Sequence, residues 1–294
     1  MRIFFYIMAM TFLVSTAYSQ EDLKWINQVR FDKKPEVKYN SSKDEFNNGI
    51  DEASSVIAKE SLYLLPSAKL DDVYAKTSEP IVKMTAKCYQ SKFEEALKIA
   101  DDNYWQYKNN PSYWNQMGTC FYLNSDYSKA ILYYNKARDL DPKYAPAVNN
   151  LGVVYVKQAK FQKALSAFKK ALDINSFSIS PNFNLARLYL RFGVSSKALT
   201  ILQGLQKRNP KDSEVNAALA SAYLISGDAA AAIGIFASLE KSALQKPWNA
   251  LNYAVALKAV NKASEAQSIL ASVAGVERAD LKSYMQKVEK FVRN

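Results

Sequence analysis

An all-α fold, an α-solenoid of stacked helical hairpins, is what the sequence predicts, on three observations. Alanine recurs at positions 96, 130, 164, 198, 232 and 266, a spacing of 34 residues each time. In the same frame a small residue recurs at Gly118, Gly152, Ala186, Ala220 and Ala254, and a large apolar one at Tyr134, Phe168, Leu202, Phe236 and Leu270. Glycine (8) and proline (9) are scarce in 294 residues, which disfavours a sheet-rich chain with many tight turns. A fixed period of this length marks a repeat architecture.

The elements follow in chain order. Residues 1–19 read as a secretory signal peptide: Arg2 is the positive start, Ile3 to Val14 the apolar run, and Ala17-Tyr18-Ser19 the cleavage site before Gln20. Residues 20–43 are polar and unpatterned, a lead-in to the fold. Residues 44–110 hold N-terminal helices. Phe46, Ile50, Ala53, Ile57 and Leu64 form a helical stripe ending at Pro66. Phe93 to Tyr107 fits the second helix of a degenerate repeat with Ala96 in frame, while the stretch Pro80–Tyr89 before it does not match. Five full repeats, starting near 111, 145, 179, 213 and 247, occupy residues 111–276. In residues 277–294, Leu281, Tyr284, Met285, Val288 and Val292 share one face of a helix expected to close the last apolar surface.

Within a repeat, two amphipathic stretches of about a dozen residues carry apolar side chains at i, i+3, i+4 and i+7. The small residue of the first and the alanine of the second let two helices approach closely, and the large side chains fill the space around the crossing. Asn124-Ser125-Asp126, Gln158-Ala159-Lys160, Phe192-Gly193-Val194 and Ser226-Gly227-Asp228 are turns short enough for antiparallel neighbours. Asp141-Pro142 and Asn209-Pro210 mark repeat ends, because the residue before proline resists the helical region.

The run Ala147-Val148-Asn149-Asn150-Leu151-Gly152-Val153-Val154-Tyr155, followed by Ala164, Phe168 and Ala171, resembles a tetratricopeptide repeat. So does Trp114-Asn115-Gln116-Met117-Gly118 with Phe121, Ala130, Tyr134, Ala137 and Pro142. The resemblance implies a right-handed solenoid whose first helices line a concave groove, with the sixth position of each repeat pointing into it. Those positions hold Gln116, Asn150, Asn184, Ala218 and Asn252. Each carboxamide offers one acceptor and two donors, so a ladder of them suits the backbone of an extended peptide. By family position Arg187, Arg191, Lys157 and Lys258 lie on or beside the same face, where they would favour an acidic segment. Tyr122 and Trp248 are the aromatics expected to face the groove. The lysine, asparagine and arginine pattern of family members that clamp acidic chaperone tails is kept only at Asn150, which disfavours that partner.

The chain contains no histidine, which removes Ser-His-Asp and Cys-His nucleophiles, His-ligated zinc and histidine general bases. Asp71-Asp72 and Asp101-Asp102 are adjacent pairs whose side chains diverge on a helix, not carboxylate dyads. No enzyme activity, cofactor, metal or small-molecule substrate is indicated. No block of five or more like charges appears, so the formal net charge of +11 reads first as scattered lysines that keep a helical chain soluble. Read as a partner signal, it fits an acidic partner outside the cytoplasm better than nucleic acid and suits contact with membrane or cell-wall assemblies. Cys88 and Cys120 could be bridged in an exported protein. Helix axes some 8–10 Å apart, against the ~7 Å between Cα atoms that a bridge tolerates, favour two buried thiols instead. The function expected is a non-enzymatic protein-interaction scaffold of the cell envelope, periplasmic or otherwise exported, docking an extended segment in the groove. Two alternatives stand beside it. One is a structural subunit of a secretion, motility or surface-assembly complex that uses its convex face and termini. The other is glycan or peptidoglycan binding through Tyr122 and Trp248.

Overall fold

The computed structural model describes residues 74–273 and 279–293. The predicted signal peptide and lead-in, the predicted stripe from Phe46 to Leu64 and residues 274–278 lie outside the described residues. Among those described there is no β-strand. They fall into two compact units divided between Leu185 and Ala186.

The N-terminal unit opens with α1 (Pro80–Tyr89), α2 (Phe93–Asp102) and the single turn α3 (Tyr104–Tyr107). It continues with α4 (Pro111–Leu123), α5 (Tyr127–Leu140), α6 (Ala145–Lys157), α7 (Phe161–Ile174) and the start of α8 (Ile179–Arg191). α1 with α2, α4 with α5, and α6 with α7 form hairpins, and successive hairpins pack together through α1 on α4 and α5 on α6. In the C-terminal unit, the end of α8 leads to α9 (Ser195–Arg208), α10 (Ser213–Ser226) and α11 (Ala229–Ala237). The turn α12 (Lys241–Leu244), then α13 (Pro247–Ala259), α14 (Ala263–Ala271) and α15 (Ala279–Arg293) complete it. Helix α15 packs on α13 and α14 with Leu281, Tyr284, Val288 and Val292 buried, which is how a repeat array hides its last apolar face.

The helix-to-helix turns are built alike. A left-handed residue stands at Ser91, Ser125, Ala159, Gly193, Gly227 and Asn261, 34 residues apart each time. The amide after each of them donates back to a carbonyl five residues earlier: Lys92 to Lys87, Asp126 to Phe121, Lys160 to Tyr155, Val194 to Tyr189, Asp228 to Tyr223 and Lys262 to Leu257, all at 2.8–2.9 Å. This closes the last helical turn and satisfies carbonyls that the helix end leaves over. At the far end of α5 and α9, Asp141 and Asn209 leave the helical region (φ −139° and −138°), as the prolines that follow them require.

The turn at Ser91 makes α1 and α2 a hairpin in the same frame as the others, a pairing that the sequence did not reveal. Its signature positions are altered: Met84 stands where the later hairpins have glycine or alanine, and Ala100 where they have a large apolar residue. Both are buried in one cluster with Cys88, Ala96 and Cys120. The exchange preserves the filled volume while erasing the motif.

Cys88 of α1 and Cys120 of α4 form a disulfide, with Cα atoms 5.1 Å apart. The expectation of two thiols is thereby corrected. An average axis separation does not describe this contact: both cysteines are buried where the two helices meet, 1% and 3% exposed.

Candidate functional site

The predicted groove residues of the N-terminal unit lie on the first helices α4, α6 and α8. There the carboxamides bond to one another. Asn184 Nδ2 donates to Asn149 Oδ1 at 3.0 Å, Asn149 Nδ2 to Asn150 Oδ1 at 3.1 Å, and Asn150 Nδ2 to Asn115 Oδ1 at 3.1 Å. A single relay thus runs from α8 through two adjacent residues of α6 to α4. Asn115, Asn149 and Asn150 are fully buried, and Asn184 is half-buried.

The expectation of a row of free amides therefore needs correcting at Asn150, whose donor and acceptor are engaged inside the protein. The partners that sequence reasoning missed are Asn115 and Asn149, one position before the sixth. Their signal was present as a spacing of 35, Asn115 to Asn150 and Asn149 to Asn184, one repeat plus one residue. That offset carries a side chain from one first helix diagonally onto the next.

Gln116 adjoins this relay on α4 and differs from it. It is buried, and its Oε1 accepts no hydrogen bond. An acceptor kept from water without a donor costs free energy on the order of 1–3 kcal/mol. Above it on the same helix, Thr119 Oγ1 lies 3.2 Å from the Tyr134 hydroxyl, so that pair is satisfied internally.

In the C-terminal unit, Asn252 of α13 donates to Ser221 Oγ at 3.1 Å, and Ser221 donates to the Ala217 carbonyl at 2.9 Å. Asn252 Oδ1 in turn accepts from the Tyr284 hydroxyl of α15 at 2.7 Å. The closing helix occupies this sixth position, and burial pushes the Tyr284 phenol well above its ordinary pKa. Trp248 stacks on the same Tyr284 ring at 5.1 Å, so it is half-buried packing rather than an open platform. Tyr122 is corrected likewise: it is buried among Ala130, Tyr134, Leu151 and Val154, with its ring 5.7 Å from Tyr127.

The cations stay at the surface. Arg187 and Arg191, one helical turn apart on α8, are exposed, as is Lys157 on α6; Lys258 on α13 is half-buried. Among the described residues no three His, Cys, Asp or Glu side chains gather as a metal site, and no helix is long and apolar enough to cross a membrane.

Residues 111–144 and 156–222 match the tetratricopeptide repeat family. No curated protein matches the chain. Among solved structures, it is similar to PilF of Pseudomonas aeruginosa at 14% identity and a TM-score of 0.60, over 74% of this chain and 99% of that one. PilW, described as a widely conserved type IV pilus biogenesis factor, is 17% identical with a TM-score of 0.56, over 68% and 94%. YrrB, described as a TPR protein with an unusual peptide-binding site, is 19% identical with a TM-score of 0.50, over 67% and 97%. These likenesses show the fold, that of a tetratricopeptide solenoid.

Proposed function

We propose that this chain is a non-enzymatic interaction scaffold that docks an extended protein segment across α4, α6 and the start of α8. The observation that carries the reading is the buried acceptor Gln116 Oε1 without a donor, beside a relay whose amides hold the three helices in fixed order. A peptide backbone supplies an N–H at each residue, and the unpaired acceptor of Gln116 would gain one by turning its side chain toward the groove. The half-buried Asn184 is the second contact. Exposed Lys157 flanks the site and favours an acidic segment. YrrB, with its peptide-binding site, offers a precedent for the same use of the fold.

The setting proposed is the cell envelope, after cleavage of residues 1–19. The envelope assignment draws support from the fold shared with PilF and PilW, and the latter's description as a pilus biogenesis factor keeps a structural role in such a machine as the second reading. The test separates the two. Gln116→Leu with Asn184→Ala should abolish capture of proteins from an envelope fraction, with helicity unchanged by circular dichroism. An identical set of captured proteins would reject groove docking and favour the structural role.

A further inference from the structure

Among the described residues, the large apolar side chains that stand exposed are Tyr104, Trp105 and Leu132, all within one stretch of the N-terminal unit. Trp105 is 78% exposed and Leu132 62%. In the frame of the repeat, the position of Trp105 is held later by Asp139, Asp173 and Lys207, all exposed. An indole therefore replaces a charge at a site the fold leaves in water. The interruption at Asn103, where the backbone leaves the helical path between α2 and α3, comes immediately before it.

The indole stands at the outer end of a chain of ring contacts. Its ring meets Tyr104 at 5.3 Å, Tyr104 meets Trp114 at 6.2 Å, Trp114 stacks on Tyr133 at 5.7 Å and Tyr133 on Phe121 at 5.1 Å. The Trp114 indole N–H donates to the Lys108 carbonyl at 2.7 Å and holds the segment after α3 in place. Lys108 Nζ lies 4.3 Å from the Trp105 ring centre. On α5, Lys129, Leu132, Tyr133 and Lys136 stand at i, i+3, i+4 and i+7, one face of the helix. Of the acids near this edge, Asp126 pairs with Lys129 and Asp139 with Arg138, and Asp101 and Asp102 at the end of α2 are exposed.

We propose that this aromatic edge docks the protein on an anionic phospholipid surface. An indole and a leucine that protrude suit a deformable layer, whereas small-molecule sites are concave. Tryptophan and tyrosine settle at the headgroup level of a bilayer, and lysine stems lie along the apolar boundary with their ammonium groups among the phosphates. The net charge of +11 complements such a surface. The site is separate from the groove and does not depend on the docking reading.

Flotation of the purified full chain with vesicles of phosphatidylcholine, with and without phosphatidylglycerol, is the test. Binding is expected only with phosphatidylglycerol, falling about tenfold or more for Trp105→Ala and also for Lys108→Glu, with Tm unchanged because Trp105 is exposed and Lys108 only half-buried. The chain has four tryptophans. Quenching by bromine-labelled acyl chains should therefore be seen in the wild type and lost in Trp105→Phe. No flotation, or flotation and quenching indifferent to residue 105, would overturn the proposal. So would Trp105-dependent capture of a protein or of purified cell wall by a chain that ignores vesicles.

Discussion

The ring of Phe168 lies so closely over Gly152 that a methyl carbon on Gly152 would sit 2.5 Å from Phe168 Cε1; Gly118 and Tyr134 repeat the relationship at 2.6 Å. Both rings are fully buried, so neither can swing aside. Helix propensity alone would make Gly152→Ala stabilising by about 1 kcal/mol. Overpacking should reverse the sign, for a net loss on the order of 1–2 kcal/mol. Adding Phe168→Leu should restore most of it, since Ala186 and Leu202 occupy the same two positions one repeat later. Urea unfolding of the two single variants and the double variant reads the coupling directly; additive losses would refute it.

The turn residues give a prediction of opposite sign. Ala159 holds φ 56°, where a Cβ is unfavourable, while Gly227 holds φ 92°. Ala159→Gly should stabilise by up to about 1 kcal/mol after the unfolded-state entropy of glycine is subtracted. Gly227→Ala should destabilise by a similar amount. A lower urea midpoint for Ala159→Gly would contradict the assignment.

Loss of the Cys88–Cys120 bridge should cost about 2–4 kcal/mol, since it closes a loop of 32 residues and ties α1 to α4. Cys88→Ser and Cys120→Ser should lower Tm alike, and the double variant no further. Alkylation without reduction should leave the intact mass unchanged; two added labels would show free thiols in its place.

Alkali should unfold the protein through buried phenols. Desolvation, with Asp101 adding to it, pushes Tyr113 up to about 12, and burial pushes Tyr189 up to about 12. Tyr113 remains protonated in the fold and donates to the Ala100 carbonyl at 3.0 Å. An unfolded tyrosine ionises near 10. The proton-bound fold therefore keeps its full stability below pH 10 and loses it as pH rises toward 12. Tyrosinate absorbance and helicity should change together in that window. Release of every phenol near pH 10 with helicity intact would oppose it.

Period, hairpin order and the small-against-large crossings were legible from Gly118 onward because each depends on contacts inside a repeat or with its neighbour, and 34-residue spacing records such contacts directly. The same logic located α15 by its single apolar face. Tertiary structure alone decided the rest. Met84 and Ala100 exchanged volumes across one crossing, so the α1–α2 hairpin kept its packing but lost its signature. Cys88 and Cys120 bond because two particular helix faces meet at 5.1 Å, a distance that no spacing encodes. The amides of Asn150 and Asn252 were identifiable as residues facing along the first helices. Whether they face a ligand or each other depends on a diagonal offset of one residue, and on Tyr284 arriving from a distant helix. Trp105 owes its exposure to the fold as well: Tyr104, Trp114 and Tyr133 pack ring against ring and leave its indole in water.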